Sequence, residues 1–132
     1  MTYVWERLGT ARIAVGRRTR ERGQAAIEYV GVLTLLLVVA MAVVQLGIGI
    51  YAAQQAGTAA RSGARVASDK YQSFRAEPVA RASMSSWLAD EATIVPTAGW
   101  DDVTVRVTVP IPSLLPIFDF GSVTKTVTMP RD

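Results

Sequence analysis

Glu28 is the residue best placed to do chemistry in this chain, because of its position at a membrane-like boundary. It sits in the string Arg22-Gly23-Gln24-Ala25-Ala26-Ile27-Glu28-Tyr29 and stands at the mouth of an apolar run over residues 29–53. A carboxylate near the hydrocarbon of a membrane costs about 2.5–3.5 kcal/mol on insertion scales and more in simulations, so such residues usually have a job. Two jobs fit. In the first turn of a helix the carboxylate is stabilised by the helix dipole and by nearby headgroups. Alternatively, it neutralises a cation on a neighbouring helix in a low-dielectric setting, which sets axial register during assembly. Both are structural roles.

Catalysis is not expected elsewhere. The chain has no cysteine and no histidine. That removes disulfides, thiolate nucleophiles and Cys-ligated metal, together with the commonest metal ligand and general base. There is no Gly-x-Ser-x-Gly pattern, so the chain reads as a non-enzyme with no metal and no cofactor.

The elements that must position Glu28 begin with the apolar run. Residues 29–53 contain only Thr34 and Gln45 as uncharged polar interruptions. A hydrocarbon core of ~30 Å needs roughly 20 helical residues at ~1.5 Å each, so 25 can cross a bilayer with some tilt. A buried helix of a soluble domain is the alternative, but a chain of 132 residues has little with which to cover it on all sides. An ordinary signal peptide has a shorter apolar core, ~7–15 residues.

Charge gives this span a direction. Before Gln24 stand Arg7, Arg12, Arg17, Arg18, Arg20 and Arg22 against Glu6 and Glu21, while the rest of the chain has eight basic and nine acidic residues. The positive-inside rule places the N-terminus in the cytoplasm and the C-terminal part outside, in a single pass of the plasma membrane. The arginines are explained by topology and attraction to anionic lipid, so no nucleic-acid partner is expected.

After the span, the helical pattern continues toward Tyr71 without a proline before Pro78. Ala52, Ala56, Ala60 and Ala64 recur every fourth residue, beside a row of Ala59, Gly63 and Ala67. Small residues at this spacing let helix backbones approach closely, and Ala-rich helix propensity accounts for the same pattern. Pro78 suits the first turn of a second helix ending near Thr93, with Val79, Met84, Trp87 and Leu88 on its core face. Residues 101–110 alternate Val103, Val105, Val107 and Val109 with polar residues, the pattern of a strand. Residues 122–129 form a second, with Lys125 among its apolar set suggesting a sheet edge. The connection over 110–121 holds three prolines and Leu114, Leu115, Ile117, Phe118 and Phe120. It either folds back over the hairpin, the arrangement favoured here because core residues are scarce, or offers an apolar surface to membrane or partner.

A basic leader, Gly23, four residues, Glu28-Tyr29 and an apolar helix together resemble the processing site of type IV pilin-like precursors. With AARSGARVA at residues 59–67 and VTVPIPSLLPIFDFGSVT at 107–124, the chain resembles the TadE-like family, minor pilins or pseudopilins of tight-adherence (Flp) pilus assembly. The resemblance implies cleavage by a prepilin peptidase after Gly23, with Gln24 as the new N-terminus and Glu28 and Tyr29 completing the recognition motif. The exposed α-amino group, with a reference pKa of about 8, would be the cation that Glu28 of a sister subunit neutralises. The resemblance also implies partners: the prepilin peptidase, other pilins or pilus-platform proteins, and membrane lipid. It supplies no catalytic residue. An uncleaved single-pass scaffold of a secretion or pilus machine is the alternative.

The expected architecture is α+β, with a long N-terminal helix, a second short helix and a C-terminal β-hairpin or small antiparallel sheet. Its expected divisions are a basic cytoplasmic leader over 1–23, a transmembrane helix over 24–53, a protruding helix extension over 54–75 and an extracytoplasmic α+β domain over 76–132.

Overall fold

The computed structural model describes residues 2–132, with side chains from Thr19 onward, so Arg7, Arg12, Arg17 and Arg18 of the leader lie outside the described side chains. The chain divides into two compact units, residues 1–42 and 43–132.

The first unit consists of one element, the helix α1 (Thr2–Ser68), which continues into the second. Residues 19–44 are exposed throughout. Leu35, Leu37 and Val43 are each more than 60 % exposed. A helix apolar on every side and uncovered by its own chain is suited to lipid. Thr34 is adapted to that setting, because its hydroxyl donates to the Val30 carbonyl at 2.8 Å and leaves no unpaired donor.

The second unit is an α+β arrangement. After α1 come a turn of 3-10 helix (Ser73–Arg75), two short helices, α2 (Ala76–Ala82) and α3 (Ser86–Ala89), and strands β1 (Thr93–Ala98), β2 (Asp102–Pro110) and β3 (Ser122–Pro130). The strands form an antiparallel meander in the order β1-β2-β3. Val103, Val105, Val107 and Val109 of β2 point inward and are fully buried, each contributing about 1.5–3 kcal/mol. They share one core with Ala52, Ala56, Ala59, Ala60, Ala64 and Ala67 of α1, with Ala76 and Ala80 of α2, and with Leu88 of α3. The solvent face of the sheet is held by threonine pairs, Thr104 with Thr128 at 2.9 Å and Thr108 with Thr124 at 3.0 Å, each pair directly opposite across β2 and β3.

Three expectations are corrected in detail. First, α1 stops at Ser68 rather than Tyr71, because Asp69 accepts the Tyr71 N–H at 2.9 Å and starts a turn. Second, the helix expected from Pro78 to near Thr93 begins at Ala76 and is split at Ser83–Ser85, where Ser83 Oγ back-bonds to Val79 O. Third, Trp87 is half exposed rather than core. The strand β1 carries Pro96, which a strand accepts only at a sheet edge, the position β1 occupies. The edge position expected from Lys125 is the one β3 takes.

Candidate functional site

Gly23, Gln24, Glu28 and Tyr29 all lie on α1 in its exposed stretch. The helix runs unbroken through the bond between Gly23 and Gln24, and a side chain at Gly23 would meet nothing within 4 Å. Gln24 stands one turn before Glu28, Gly31 and Val32 one turn after, so no cation shares the Glu28 face at helical spacing. Among the described residues Glu28 makes no ion pair. Its carboxylate is therefore available to a group from outside the chain.

The small-residue row sits elsewhere. Ala52, Ala56, Ala60, Ala64 and Gly63 are buried in the second unit, facing the chain's own sheet and α2. A β carbon at Gly63 would lie 3.0 Å from Ala80 Cβ, 3.2 Å from Val105 Cγ1 and 3.3 Å from Ala76 O. The close approach these residues permit is used inside the subunit. Alternation of alanine with period four announced an intimate contact but left its partner unspecified.

Two further contacts on α1 were not anticipated. Gln45, inside the apolar run, is nearly buried. Its Nε2 donates to Pro112 O at 2.8 Å and its Oε1 accepts the Leu114 N–H at 3.0 Å, so one side-chain amide holds a carbonyl and an N–H of the loop backbone. The loop over 111–121 is thus tied to α1, not folded over the hairpin, and Leu114, Ile117, Phe118 and Phe120 stay exposed. A lone glutamine among 25 otherwise largely apolar residues was the available signal. Two turns along, Tyr51 stacks on Trp87 with ring centroids 6.1 Å apart and shares a hydrogen bond with Ser85 Oγ, while Gln55 Oε1 accepts the Ser85 N–H at 3.0 Å.

One Ser-x-x-Lys spacing does occur, Ser122 to Lys125, but it falls on β3, where residues three apart face opposite sides of the sheet. It assembles no nucleophile and base. Among the described residues no cluster of acidic side chains is arranged to hold a metal ion.

No curated protein and no solved structure matches the chain. A family model does, and it covers the exposed helix with Gly23 and Glu28 together with the alanine tract. Over residues 23–65 the chain matches the family described as TadE-like protein, the family its sequence resembles, and it fits a pilus-related protein with, among the described residues, one apolar helix long enough to cross a membrane.

Proposed function

We propose that this chain is a membrane-inserted minor pilin or pseudopilin of tight-adherence (Flp) pilus assembly, processed after Gly23 and assembled by packing of its N-terminal helices. One observation carries the reading: Glu28 is exposed and has no ion pair among the described residues, five positions after Gly23 and at the start of the uncharged stretch of α1 within the TadE-like match. Cleavage there makes Glu28 the fifth residue of the mature chain, within reach of the new amino group of a sister helix. Exposed residues of α1, not the buried alanine row, supply the packing surface between chains. The leader over 1–23 is cytoplasmic, 24–53 crosses the plasma membrane, 54–75 extends beyond it and 76–132 forms the outer domain. The partners are the prepilin peptidase, other pilins or platform proteins, and lipid.

A second reading, an uncleaved single-pass scaffold, is favoured by the unbroken α1 backbone through residues 23 and 24, since a peptidase must unwind a helix to reach its bond. Intact mass and N-terminal sequence of the protein from membranes of its native host decide between them, with Gly23→Ala alongside. A chain beginning at Gln24, lost in the variant, is the expected result. A chain that keeps Met1 in both overturns processing and leaves the scaffold.

A further inference from the structure

The loop over 111–121 keeps its apolar side chains out of the core. Leu114, Leu115, Ile117, Phe118 and Phe120 are all exposed, Ile117 at 83 %. In water such residues would be drawn into the domain. Here the two Gln45 hydrogen bonds hold them against α1 instead. Gln45 lies eight residues inside the end of the uncharged run 29–53, and the next charge along the helix is Arg61. The neighbouring Val43, Val44 and Leu46 are exposed as well. The loop therefore extends the apolar surface that this part of α1 presents.

Much of its backbone is satisfied within the chain. Pro112 and Pro116 have no N–H to satisfy. The Ile111 N–H donates to Gly121 O at 2.9 Å, the Leu115 N–H to Ser113 Oγ at 3.2 Å and the Phe118 N–H to Leu115 O at 3.1 Å. Asp119, the loop's one charged residue, turns back to accept the Gly121 N–H at 2.8 Å. Irregular backbone enters a membrane only where its polar groups find partners, and a charged residue keeps such a loop at the interface rather than the bilayer centre. Tyr51 and Trp87 stack about 9 Å further along α1, where amphipathic rings favour headgroups, and Arg61 lies beyond them. Polarity thus rises in steps from Gln45 outward.

We propose that residues 111–121 form a membrane-seated loop, with Leu114, Leu115, Ile117 and Phe118 inserted in the interface of a phospholipid bilayer beside α1 and Gln45 fixing their depth. This rests on the reading of α1 as a membrane span, and the test separates the two.

The chain has no native cysteine, so single nitroxide labels are unambiguous. Ile117→Cys and Phe118→Cys are placed in the full chain, with Val38→Cys as the reference for the span and Trp100→Cys, 98 % exposed, as the reference for water. Each is reconstituted in phosphatidylcholine–phosphatidylglycerol nanodiscs, and collision with oxygen is compared with collision with a water-soluble nickel chelate. The expected result is a shift toward oxygen at positions 117 and 118, matching position 38 in direction and opposite to position 100. Nickel access at 117 and 118 with oxygen access at 38 overturns the loop proposal and leaves the span intact. Nickel access at 38 overturns both. Shielding of 117 and 118 from both reagents means that a second copy of the chain covers the loop, which also overturns the proposal.

Discussion

Gly63 and Ala80 bring α1 and α2 so close that a β carbon on Gly63 would stand 3.0 Å from that of Ala80. The next nearest atoms, Val105 Cγ1 and the Ala76 carbonyl, close the space from two other directions. Gly63→Ala gains about 1 kcal/mol of helix propensity, but overpacking typically costs ~1–3 kcal/mol, and the fixed backbone of α2 limits relief. The expected outcome is a lower unfolding midpoint for Gly63→Ala and a much lower one for Gly63→Leu, measured by circular dichroism in detergent. Gly57→Ala is the opposite case, with nothing within 4 Å of the added carbon, and should raise the midpoint. Parallel effects at 57 and 63 would refute the close contact.

Gln45 has a different job from its neighbours, and Gln45→Leu isolates it. The substitution keeps a similar volume and suits the apolar run, yet leaves Pro112 O and Leu114 N–H without their partner. An unsatisfied polar group of this kind costs about 1–3 kcal/mol when buried. The loss should be local: faster hydrogen exchange at Leu114 and faster proteolysis within 111–121, with β2 and β3 unchanged because the threonine pairs and buried valines hold them independently. Unaltered exchange at Leu114 would show that the loop is held by something else.

Glu28→Ala should insert into the membrane at least as well as the parent, since a carboxylate costs about 2.5–3.5 kcal/mol at the centre of a span, and its removal at the boundary relieves a part of that. If the chain is processed as proposed, assembly should fail, because the amino terminus of the sister helix would lose its counter-charge. Membrane fractionation measures the first effect, and pilus recovery from host cells the second. Normal pili from this variant would remove the register argument while leaving the span untouched.

The sequence disclosed these sites unevenly, for physical reasons. An uncharged run of 25 residues and the valine alternation of β2 are long, periodic signals set by solvent, and both span and strand were legible. The edge position of β3 was readable from Lys125 in an apolar register. The alanine row told of close packing but not against what, since small side chains permit approach by a helix or a sheet equally. β1 carries Pro96 and only one buried residue, Ile94, so neither period nor composition marked it. Gln45 was visible, but its partners lie 67 and 69 residues away, beyond any local pattern. Glu28 is the converse: position alone singled it out, and its chain supplies no ion-pair partner among the described residues.

Arg81 closes the turn between α2 and β1, and the role of its charge can be separated from that of its donors. One guanidinium nitrogen donates to Ala89 O, the other to Ala92 O at 3.3 Å and to Glu77 Oε1 at 3.2 Å. The two carbonyls belong to the end of α3 and the turn after it, and Ala89 O also accepts the Ala92 N–H at 3.2 Å. The pair with Glu77 is an exposed i,i+4 contact, worth about 0.3–0.5 kcal/mol. Glu77→Gln should therefore change stability little. Arg81→Met keeps much of the apolar stem but removes every donor, and should cost about 1–3 kcal/mol, or roughly 4–8 °C in Tm for each kcal/mol in a domain of this size. Thermal unfolding of both variants decides the matter. Equal losses would mean that the ion pair, rather than the carbonyl contacts, secures the joint.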